Sequence, residues 1–280
     1  MLFVVATPIG NLGDMSPRAI ETLKNSDYIL VEDTRQTIKL LNHFDIKVKM
    51  LSYHKFNEKE RTASVIEDLK KGKNISLVCD AGTPCISDPG YILVREARNN
   101  EVQVIGIPGP SAVITALSIG GLNTESFVFY GFVPTDNKQR RKLFDSIRTS
   151  DIKTKVVYES PKRIVKFLSD LSSEVPECEV SICSELTKIH EKCVFGSIGN
   201  VYNQIKDDKT YEKGEYVVLI SNNMQKDNEK SLSIEASLID IMVKKGCTLK
   251  EAVDILNKTN DNLRKKDIYN ASLNIKNVIK

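Results

Sequence analysis

Asp80-Ala-Gly-Thr-Pro-Cys-Ile-Ser-Asp-Pro-Gly90 follows the apolar run Ile75-Ser-Leu-Val-Cys79. Four of its eleven residues control backbone shape, because glycine permits unusual dihedral angles while proline fixes φ and lacks an N–H donor. Two aspartates lie among them. The pattern is typical of a loop that brings main chain close to a small ligand at a strand's carboxyl end, although an ordinary strand-to-helix turn has a similar composition.

Two further glycine and proline loops follow apolar strands. They lie in Leu2-Phe-Val-Val-Ala-Thr-Pro-Ile-Gly-Asn11 and in Val102-Gln-Val-Ile-Gly-Ile-Pro-Gly-Pro-Ser-Ala112. In an open parallel sheet, the loops at the carboxyl ends of the strands lie along one edge. The three loops are therefore predicted to converge on one crevice, where a ligand could bind.

The size and composition are those of a globular protein. The chain has 280 residues, of which 41% are hydrophobic and 28% charged, enough for two domains and a small appendage. The amino terminus has neither a basic segment nor a long apolar run, so it predicts neither a signal peptide nor a membrane span. A cytoplasmic location without a membrane partner is expected.

Positive charge is concentrated in the carboxyl-terminal region. Lys230–Lys280 holds ten Lys or Arg against six Asp or Glu, which is +4, while the remainder holds 30 against 31, which is −1. A basic tail on a near-neutral body is typical of an auxiliary surface for a polyanion. A lysine-rich helix face in solvent would give a similar count, so both interpretations stay open.

Six cysteines occur without a CxxC motif, which favours free thiols within the core. The grouping most like a metal site is Cys178, Cys183, His190 and Cys193. If 179–184 is a strand, Cys178 and Cys183 point to opposite faces, which argues against shared ligation. No metal site is predicted.

The order of predicted elements indicates an α/β protein with two α/β domains and a helical extension. Short apolar strands alternate with helical patterns up to Gly120, as in βαβ units with a mainly parallel sheet. Beyond it, the strand spacing favours a mixed sheet. The predicted domains are an N-terminal α/β domain at 1–120, a C-terminal α/β domain at 121–222, and a linker with a small basic helical extension at 223–280.

Three helices are predicted in the extension, two of them around Gly246 and a third near Lys265. Two short helices about a glycine turn followed by a basic one match a helix-turn-helix, but any three-helix cap gives the same pattern.

Eight short segments occur in order across roughly residues 1 to 221, which makes coincidence improbable although each alone is weak. Together they resemble the tetrapyrrole-methylase-like family. The segments are Thr7-Pro-Ile-Gly-Asn-Leu12, Glu32-Asp-Thr-Arg35, Asp80-Ala-Gly-Thr-Pro84, Asp88-Pro-Gly90, Pro108-Gly-Pro-Ser-Ala112, Tyr158-Glu-Ser-Pro161, Ser184-Glu-Leu-Thr-Lys188 and Lys213-Gly-Glu215.

The resemblance implies a homodimeric enzyme that binds S-adenosyl-L-methionine in a cleft between two α/β domains. Within the family, the motifs are similar to those of members that methylate the ribose 2′-oxygen of a cytidine in the decoding region of small-subunit (16S) ribosomal RNA. Two other interpretations are a tetrapyrrole or protein methyltransferase of the same fold and a non-catalytic nucleotide-binding protein. The absence of a GxGxxG motif after the first strands agrees with this non-Rossmann fold.

A sulfonium cofactor requires close backbone approach, acceptors for its polar groups and little bulk near the methyl group. The glycine loops with Asp80 and Asp88 provide these features. The cofactor-binding residues that the resemblance implies are Pro8, Gly10, Asp80, Gly82, Thr83, Ile86, Asp88, Ser111, Ala112, Tyr130, Phe132, Leu186 and Thr187.

A ribose hydroxyl is a very weak acid, so a general base or a cation near the developing oxyanion would assist transfer. The catalytic candidates are Asp33, Arg35, Glu159, Glu185 and Lys188. Asp33 could equally cap a helix, and Glu185 with Lys188 could be a structural ion pair.

Two basic groups are candidates for RNA binding, although each could also be a solvated face. The first is Lys138, Arg140, Arg141 and Lys142, and the second, in the extension, is Arg264, Lys265 and Lys266.

Overall fold

The computed structural model describes residues 1–212, 214–222, 233–259 and 265–278. The chain forms two compact units, Met1–Asn223 and Met224–Lys280. Within the described ranges, no helix has the length and apolar character needed to cross a membrane.

The first sheet of the larger unit has five parallel strands. They are β1 (Leu2–Val5), β2 (Tyr28–Val31), β3 (Met50–Ser52), β4 (Ile75–Leu77) and β5 (Val104–Ile107), in the order β3-β2-β4-β1-β5. Because β1 lies between β4 and β5, the carboxyl ends of these three strands are adjacent. The order therefore places the three predicted loops at one edge of the sheet.

Helices cover both faces of this sheet. They are α1 (Pro17–Lys24), α2 (Thr34–His43), α3 (Glu58–Lys70) and α4 (Tyr91–Asn99). A fifth helix, α5 (Ala112–Ile119), follows β5. In β2, Tyr28 and Leu30 pack in one cluster with residues of α3 and α4, whereas Ile29 and Val31 pack with α1 and α2. Burial on both faces explains why β2 is a continuous apolar run rather than an alternating one.

The second sheet is mixed. Its strands are β6 (Phe127–Phe132), β7 (Thr154–Glu159), β8 (Cys178–Ser184), β9 (Lys192–Ser197) and β10 (Tyr216–Asn222), in the order β6-β7-β10-β8-β9. Only β6 and β7 pair in parallel among these strands, and the other pairs are antiparallel. The register of β6 against β7 shifts between Phe129 and Phe132, so this edge carries a bulge.

Each face of the second sheet packs on different helices. One face contacts α6 (Asn137–Thr149), α7 (Ile164–Glu174) and α8 (Ile198–Ile205), and the other contacts α5 through Val113, Ala116 and Leu117. Cys178 lies in the first cluster and Cys183 in the second, which confirms their predicted opposite orientations. Because α5 follows β5, it joins the two sheets.

The smaller unit consists of α9 (Ile234–Lys245), α10 (Leu249–Thr259) and α11 (Lys265–Val278). Ser233 caps α9 by accepting from the Ala236 N–H, and Gly246 ends it at φ +58°. The three helices share one apolar cluster that includes Leu238, Leu256 and Ile268. The three predicted helices are confirmed.

The predicted fold class, a parallel sheet followed by a mixed sheet, is confirmed. The sequence pattern predicts a strand at 102–105, which starts two residues before β5, and it predicts neither β9 nor α8. Both sheets lie within Met1–Asn223, so the predicted domain limits stay predictions.

The close approach of α5 to the second sheet gives a stability prediction. A Cβ at Gly120 would lie 2.3 Å from Leu219 Cδ1 and 2.8 Å from the Ala116 carbonyl oxygen. Because main chain cannot move cheaply, we expect Gly120→Ala to destabilise the protein by roughly 1–3 kcal/mol, measured as a lower thermal midpoint.

Gly199→Ala is the matched control, since Gly199 lies in α8 with nothing within 4 Å of the added Cβ. There we expect no loss, or a gain of about 0.4–1 kcal/mol from reduced freedom of the unfolded chain. Equal midpoints for the two variants would contradict the proposed clash.

Candidate active site

Hydrogen bonds join the three predicted loops, two of them between main-chain groups and one from a side-chain hydroxyl. The Thr7 N–H donates to the Gly82 carbonyl at 2.9 Å, and the Gly82 N–H donates to the Thr7 carbonyl at 3.1 Å. The Thr83 hydroxyl donates to the Pro110 carbonyl at 3.1 Å. The loops after β1, β4 and β5 therefore form one connected surface, as predicted.

Two glycines give the loop after β4 its shape, for different reasons. Gly82 has φ +86°, and its added Cβ would lie 3.4 Å from Ile9 Cγ2. Gly90 has φ +134°, and its Cβ would lie 2.6 Å from Cys85 Sγ and 2.7 Å from Leu77 Cδ2. Gly90 thus allows packing against the core, whereas Gly82 holds the loop in a conformation that L side chains rarely adopt.

A cavity of about 450 Å³ opens beside these loops, a volume in the range of small-molecule sites. Both sheets contribute to its wall. The lining residues are Ile9, Glu32, Asp80, Ala81, Gly82, Thr83, Ile86, Ser87, Asp88, Ser111, Ala112, Phe132, Tyr158, Glu159, Ser160, Pro161, Gly214, Glu215, Tyr216 and Val217.

Part of the wall is apolar and open to solvent. Ile86 is 62% exposed and Phe132 is 59% exposed. The Phe132 ring lies 5.2 Å from that of Tyr158, edge to face. These side chains can cover a flat, apolar group of a ligand.

Five carboxyl groups line the same cavity, those of Glu32, Asp80, Asp88, Glu159 and Glu215. Burial is the first cause of a raised pKa for the first four of them. Repulsion from Asp88 and Asp80 raises the pKa of Glu32 further. None of the described residues in this wall is a lysine, arginine or histidine. The cavity therefore favours a cationic ligand over an anionic one.

A second cavity, also of about 450 Å³, shares Glu32 and Asp80 with the first. The second cavity differs from the first because cationic side chains contribute to its wall. The remaining lining residues are Asp33, Thr34, Arg35, Ser52, His54, Lys55 and Phe56.

Asp33 performs the capping role that the sequence left open. Its Oδ1 accepts from the Arg35 N–H at 2.8 Å at the start of α2, and Arg35 Nη2 lies 2.6 Å from its Oδ2. Hydrogen bonds from the Arg35 side chain, and then from its N–H, lower the pKa of Asp33 to about 2. A carboxylate with so low a pKa is a weak base, whereas the Arg35 side chain is 86% exposed and open to an anion.

Glu159 lines the first cavity, but its side chain is fully buried. Its Oε1 accepts from the Ser160 N–H at 2.6 Å and lies 2.7 Å from Arg163 Nη2. Burial raises the pKa of Glu159, and these partners oppose the shift. The arrangement favours a role in holding the loop after β7 rather than contact with a substrate.

Glu185 and Lys188 form an ion pair with Nζ to Oε1 at 2.9 Å and line neither cavity. Lys188 lies against the loop after β1, because a Cβ at Gly10 would be 2.6 Å from Lys188 Cγ. Glu185 similarly lies against Gly214. The pair therefore packs against two loops that border the first cavity. This position favours a structural ion pair over a catalytic role.

Eight of the thirteen predicted cofactor-binding residues line the first cavity: Asp80, Gly82, Thr83, Ile86, Asp88, Ser111, Ala112 and Phe132. The other five, Pro8, Gly10, Tyr130, Leu186 and Thr187, are absent from its described wall.

These five residues support the wall or its neighbours. Pro8 and Gly10 flank Ile9, which supplies the side chain at that point. The bulge in β6 sends Phe132 to the cavity, while Tyr130 packs on the opposite cluster. Leu186 packs under α5, and the Thr187 N–H donates to Glu191 at 2.6 Å.

The basic residues of α6 are not equivalent. Lys138, Arg141 and Lys142 are exposed, whereas Arg140 lies 2.5 Å from Asp170 with its side chain 11% exposed. Arg140 thus joins α6 to α7, which argues against a phosphate contact. Lys265 and Lys266 are exposed at the start of α11, and Arg264 lies outside the described residues.

The sequence interpretation did not select Glu32, Lys55 or Phe56. Glu32 stood in the quoted Glu-Asp-Thr-Arg segment, and its place directly after β2 was a signal that could have identified it. Phe56 and Lys55 lie in the turn between β3 and α3, where the sequence carries no glycine or proline signal.

Two solved structures share the fold with this chain at low sequence identity. Diphthine synthase matches with a TM-score of 0.63 and 15% identity, covering 79% of this chain and 88% of that one. Uroporphyrin-III-C-methyltransferase from Thermus thermophilus matches with a TM-score of 0.53 and 13% identity, covering 79% of this chain and 94% of that one.

Sequence relatives are much more similar. Proteins named Ribosomal RNA small subunit methyltransferase I are 42% identical in Halalkalibacterium halodurans and 41% in Vibrio cholerae, each match covering 96% of this chain and 93% of the relative. The Bacillus subtilis protein of that name is 36% identical, covering 97% and 93%. The family model for Tetrapyrrole (Corrin/Porphyrin) Methylases matches residues 1–202. The chain is therefore a methyltransferase that belongs to the tetrapyrrole methylase family and groups within it with these relatives.

Proposed function

We propose that this methyltransferase transfers the methyl group of S-adenosyl-L-methionine to the ribose 2′-oxygen of a cytidine in the decoding region of small-subunit (16S) ribosomal RNA. The observation that supports this cofactor is the first cavity, whose described wall has five carboxyl groups and no cationic side chain. The substrate is supported by the name of relatives up to 42% identical.

The side chains that line the cavity suit this cofactor. Its sulfonium and ammonium groups are cationic and match Glu32, Asp80 and Asp88, while its adenine suits the exposed faces of Ile86 and Phe132. Main chain at Gly82 allows close approach. When bound, the cofactor supplies an electrophilic methyl group on sulfur.

A phosphate-binding protein without chemistry fits the cavity less well. A nucleotide phosphate would meet five carboxyl groups and, in the described wall, no cationic partner. Diphthine synthase and the uroporphyrin-III-C-methyltransferase are 15% and 13% identical to this chain, so they support the fold rather than a tetrapyrrole or protein substrate.

Glu32 is better suited than Asp33 to accept the proton of the ribose hydroxyl. Glu32 lines both cavities with a raised pKa, whereas Arg35 holds the pKa of Asp33 at about 2. The ribose hydroxyl is a very weak acid, so a proton acceptor such as Glu32 would assist its attack on the methyl group. Because the oxygen must lie in line with the methyl carbon and the sulfur, positioning of the nucleophile supplies much of the acceleration in this scheme. Arg35 would contact RNA phosphate beside it.

Further RNA contacts are proposed for the exposed Lys138, Arg141 and Lys142 of α6 and for Lys265 and Lys266 of α11. The homodimer and the cytoplasmic location that the sequence implied stay predictions.

The backbone requirement at Gly82 can be separated from general strain. We expect Gly82→Val to abolish measurable S-adenosyl-L-methionine binding in a calorimetric titration, because φ is +86° there and the residue lines the cavity. Gly72→Val is the matched control, with φ +89° and nothing within 4 Å of its Cβ. It should lose similar stability but keep its affinity; retained affinity in Gly82→Val would mean that the loop is only structural.

Cofactor affinity should depend on pH. A cationic ligand favours ionised carboxylates, so affinity is expected to fall as the pH decreases through the raised pKa values of Glu32, Asp80 and Asp88, above the range of an ordinary carboxyl group. The free protein has the opposite sign: the stability contributed by these raised pKa values is present at low pH and lost as the pH rises.

Neighbouring variants provide the control for this titration. Glu32→Gln should weaken binding and flatten the profile, whereas Asp33→Asn should keep it, because the pKa of Asp33 is about 2 and the group stays ionised throughout. Affinity that does not change with pH would remove the carboxyl cluster from cofactor recognition.

The activity itself is tested with small ribosomal subunits from cells that lack the enzyme. Incubation with methyl-labelled S-adenosyl-L-methionine should label the ribose of one cytidine, identified by nuclease digestion and mass spectrometry. Label on a base or on a ribosomal protein would overturn the proposal.

A further inference from the structure

Phe56 is 94% exposed in the turn between β3 and α3. The turn is held by hydrogen bonds: the His54 N–H donates to Asn57 Oδ1 at 2.8 Å, and the Asn57 side-chain amide donates to the Ser52 carbonyl at 3.2 Å. The Glu58 N–H donates to the His54 carbonyl at 2.9 Å. A single exposed phenylalanine is common in proteins, but here a fixed turn presents the ring.

The surroundings of Phe56 combine charge and aromatic surface. Phe56 lines the second cavity together with Lys55 and Arg35, whose positive charges can face a phosphate chain. That cavity shares Glu32 and Asp80 with the first, so an occupant there lies next to the proposed methyl donor.

His54 adds a polar group without a partner. It lines the same cavity, and its Nδ1 is shielded from solvent with no hydrogen-bond partner among the described residues. Its ring lies 6.0 Å from that of Phe56, edge to face. The wall beside Phe56 therefore also contains an imidazole, one nitrogen of which the described residues leave without a hydrogen bond.

We propose that Phe56 stacks on the base of the nucleotide that accepts the methyl group. Single-stranded nucleotides are held in proteins by aromatic rings flanked by cations, which is the combination that Phe56, Lys55 and Arg35 form. The stack anchors the acceptor nucleotide in the second cavity, whose wall includes Glu32. This inference rests on the proposed function, since it assumes an RNA acceptor.

The test measures methyl transfer to small subunits by the full-length protein. Phe56→Ala is expected to raise KM for the subunits roughly 10-fold, the scale of one base stack, while cofactor affinity and kcat change little. Phe56→Trp should restore KM to within about twofold of the wild-type value, because either ring can stack. Phe56 is exposed, so the thermal midpoint should not change.

Two controls make the result specific. Phe195→Ala removes another exposed phenylalanine, at 53%, that lines neither cavity and should keep the wild-type KM. Lys55→Gln should reduce the slope of log binding constant against log salt concentration by about one. Phe56→Ala should leave that slope unchanged. An unchanged KM in Phe56→Ala, or equal loss in Phe195→Ala, would overturn the stack.

Direct binding separates this inference from the proposed function. If wild-type protein binds a single-stranded RNA in a filter assay but methylates no ribose, loss of that binding in Phe56→Ala supports the stack although the proposed activity is wrong. If it methylates ribose and Phe56→Ala is normal, the stack is wrong and the activity stands. If wild-type protein neither binds nor methylates RNA, both are overturned.

Discussion

The paired hydrogen bonds between Thr7 and Gly82 hold the loop after β1 against the loop after β4. They are possible because Gly82 has φ +86°, where a side chain would be strained. The hydrogen bond from Thr83 to Pro110 extends the connection to the loop after β5. Main-chain hydrogen bonds therefore fix one wall of the first cavity, and their geometry does not depend on side-chain rotamers. The carboxyl groups of Asp80 and Asp88 project from this fixed loop.

Those carboxyl groups make the site electrostatically unfavourable until a partner binds. Burial raises the pKa of Glu32, Asp80 and Asp88, and the repulsion between neighbouring charges acts in the same direction. Asp33, one residue after Glu32, has the opposite shift because Arg35 donates hydrogen bonds to it. Two adjacent carboxylates in one sequence segment therefore serve different purposes, one in the walls of both cavities and the other at the start of α2. Stability and ligand recognition conflict at Glu32, whereas Asp33 caps its helix without such a conflict.

Much of this arrangement was predictable from the sequence, because it depends on local patterns. The convergence of the three loops follows from glycine and proline after apolar strands, and the two sheets follow from element order. Contacts between distant segments were not predictable. The bulge in β6 reverses the alternation that would place Tyr130 and Phe132 on one face, and Asp170 binds Arg140 from another helix. Phe56 has no local signal at all, since its exposure depends on how the turn after β3 folds.

Helix α5 has a mechanical consequence. Its cap Ser111 and its first residue Ala112 line the first cavity, and Gly120 at its other end lies against Leu219 in the middle of the second sheet. A helix of eight residues is about 12 Å long and cannot shorten without breaking its own hydrogen bonds. Helix α5 thus connects the cavity wall to β10 at a fixed distance. A displacement of the second sheet would therefore move Ser111 by a comparable amount.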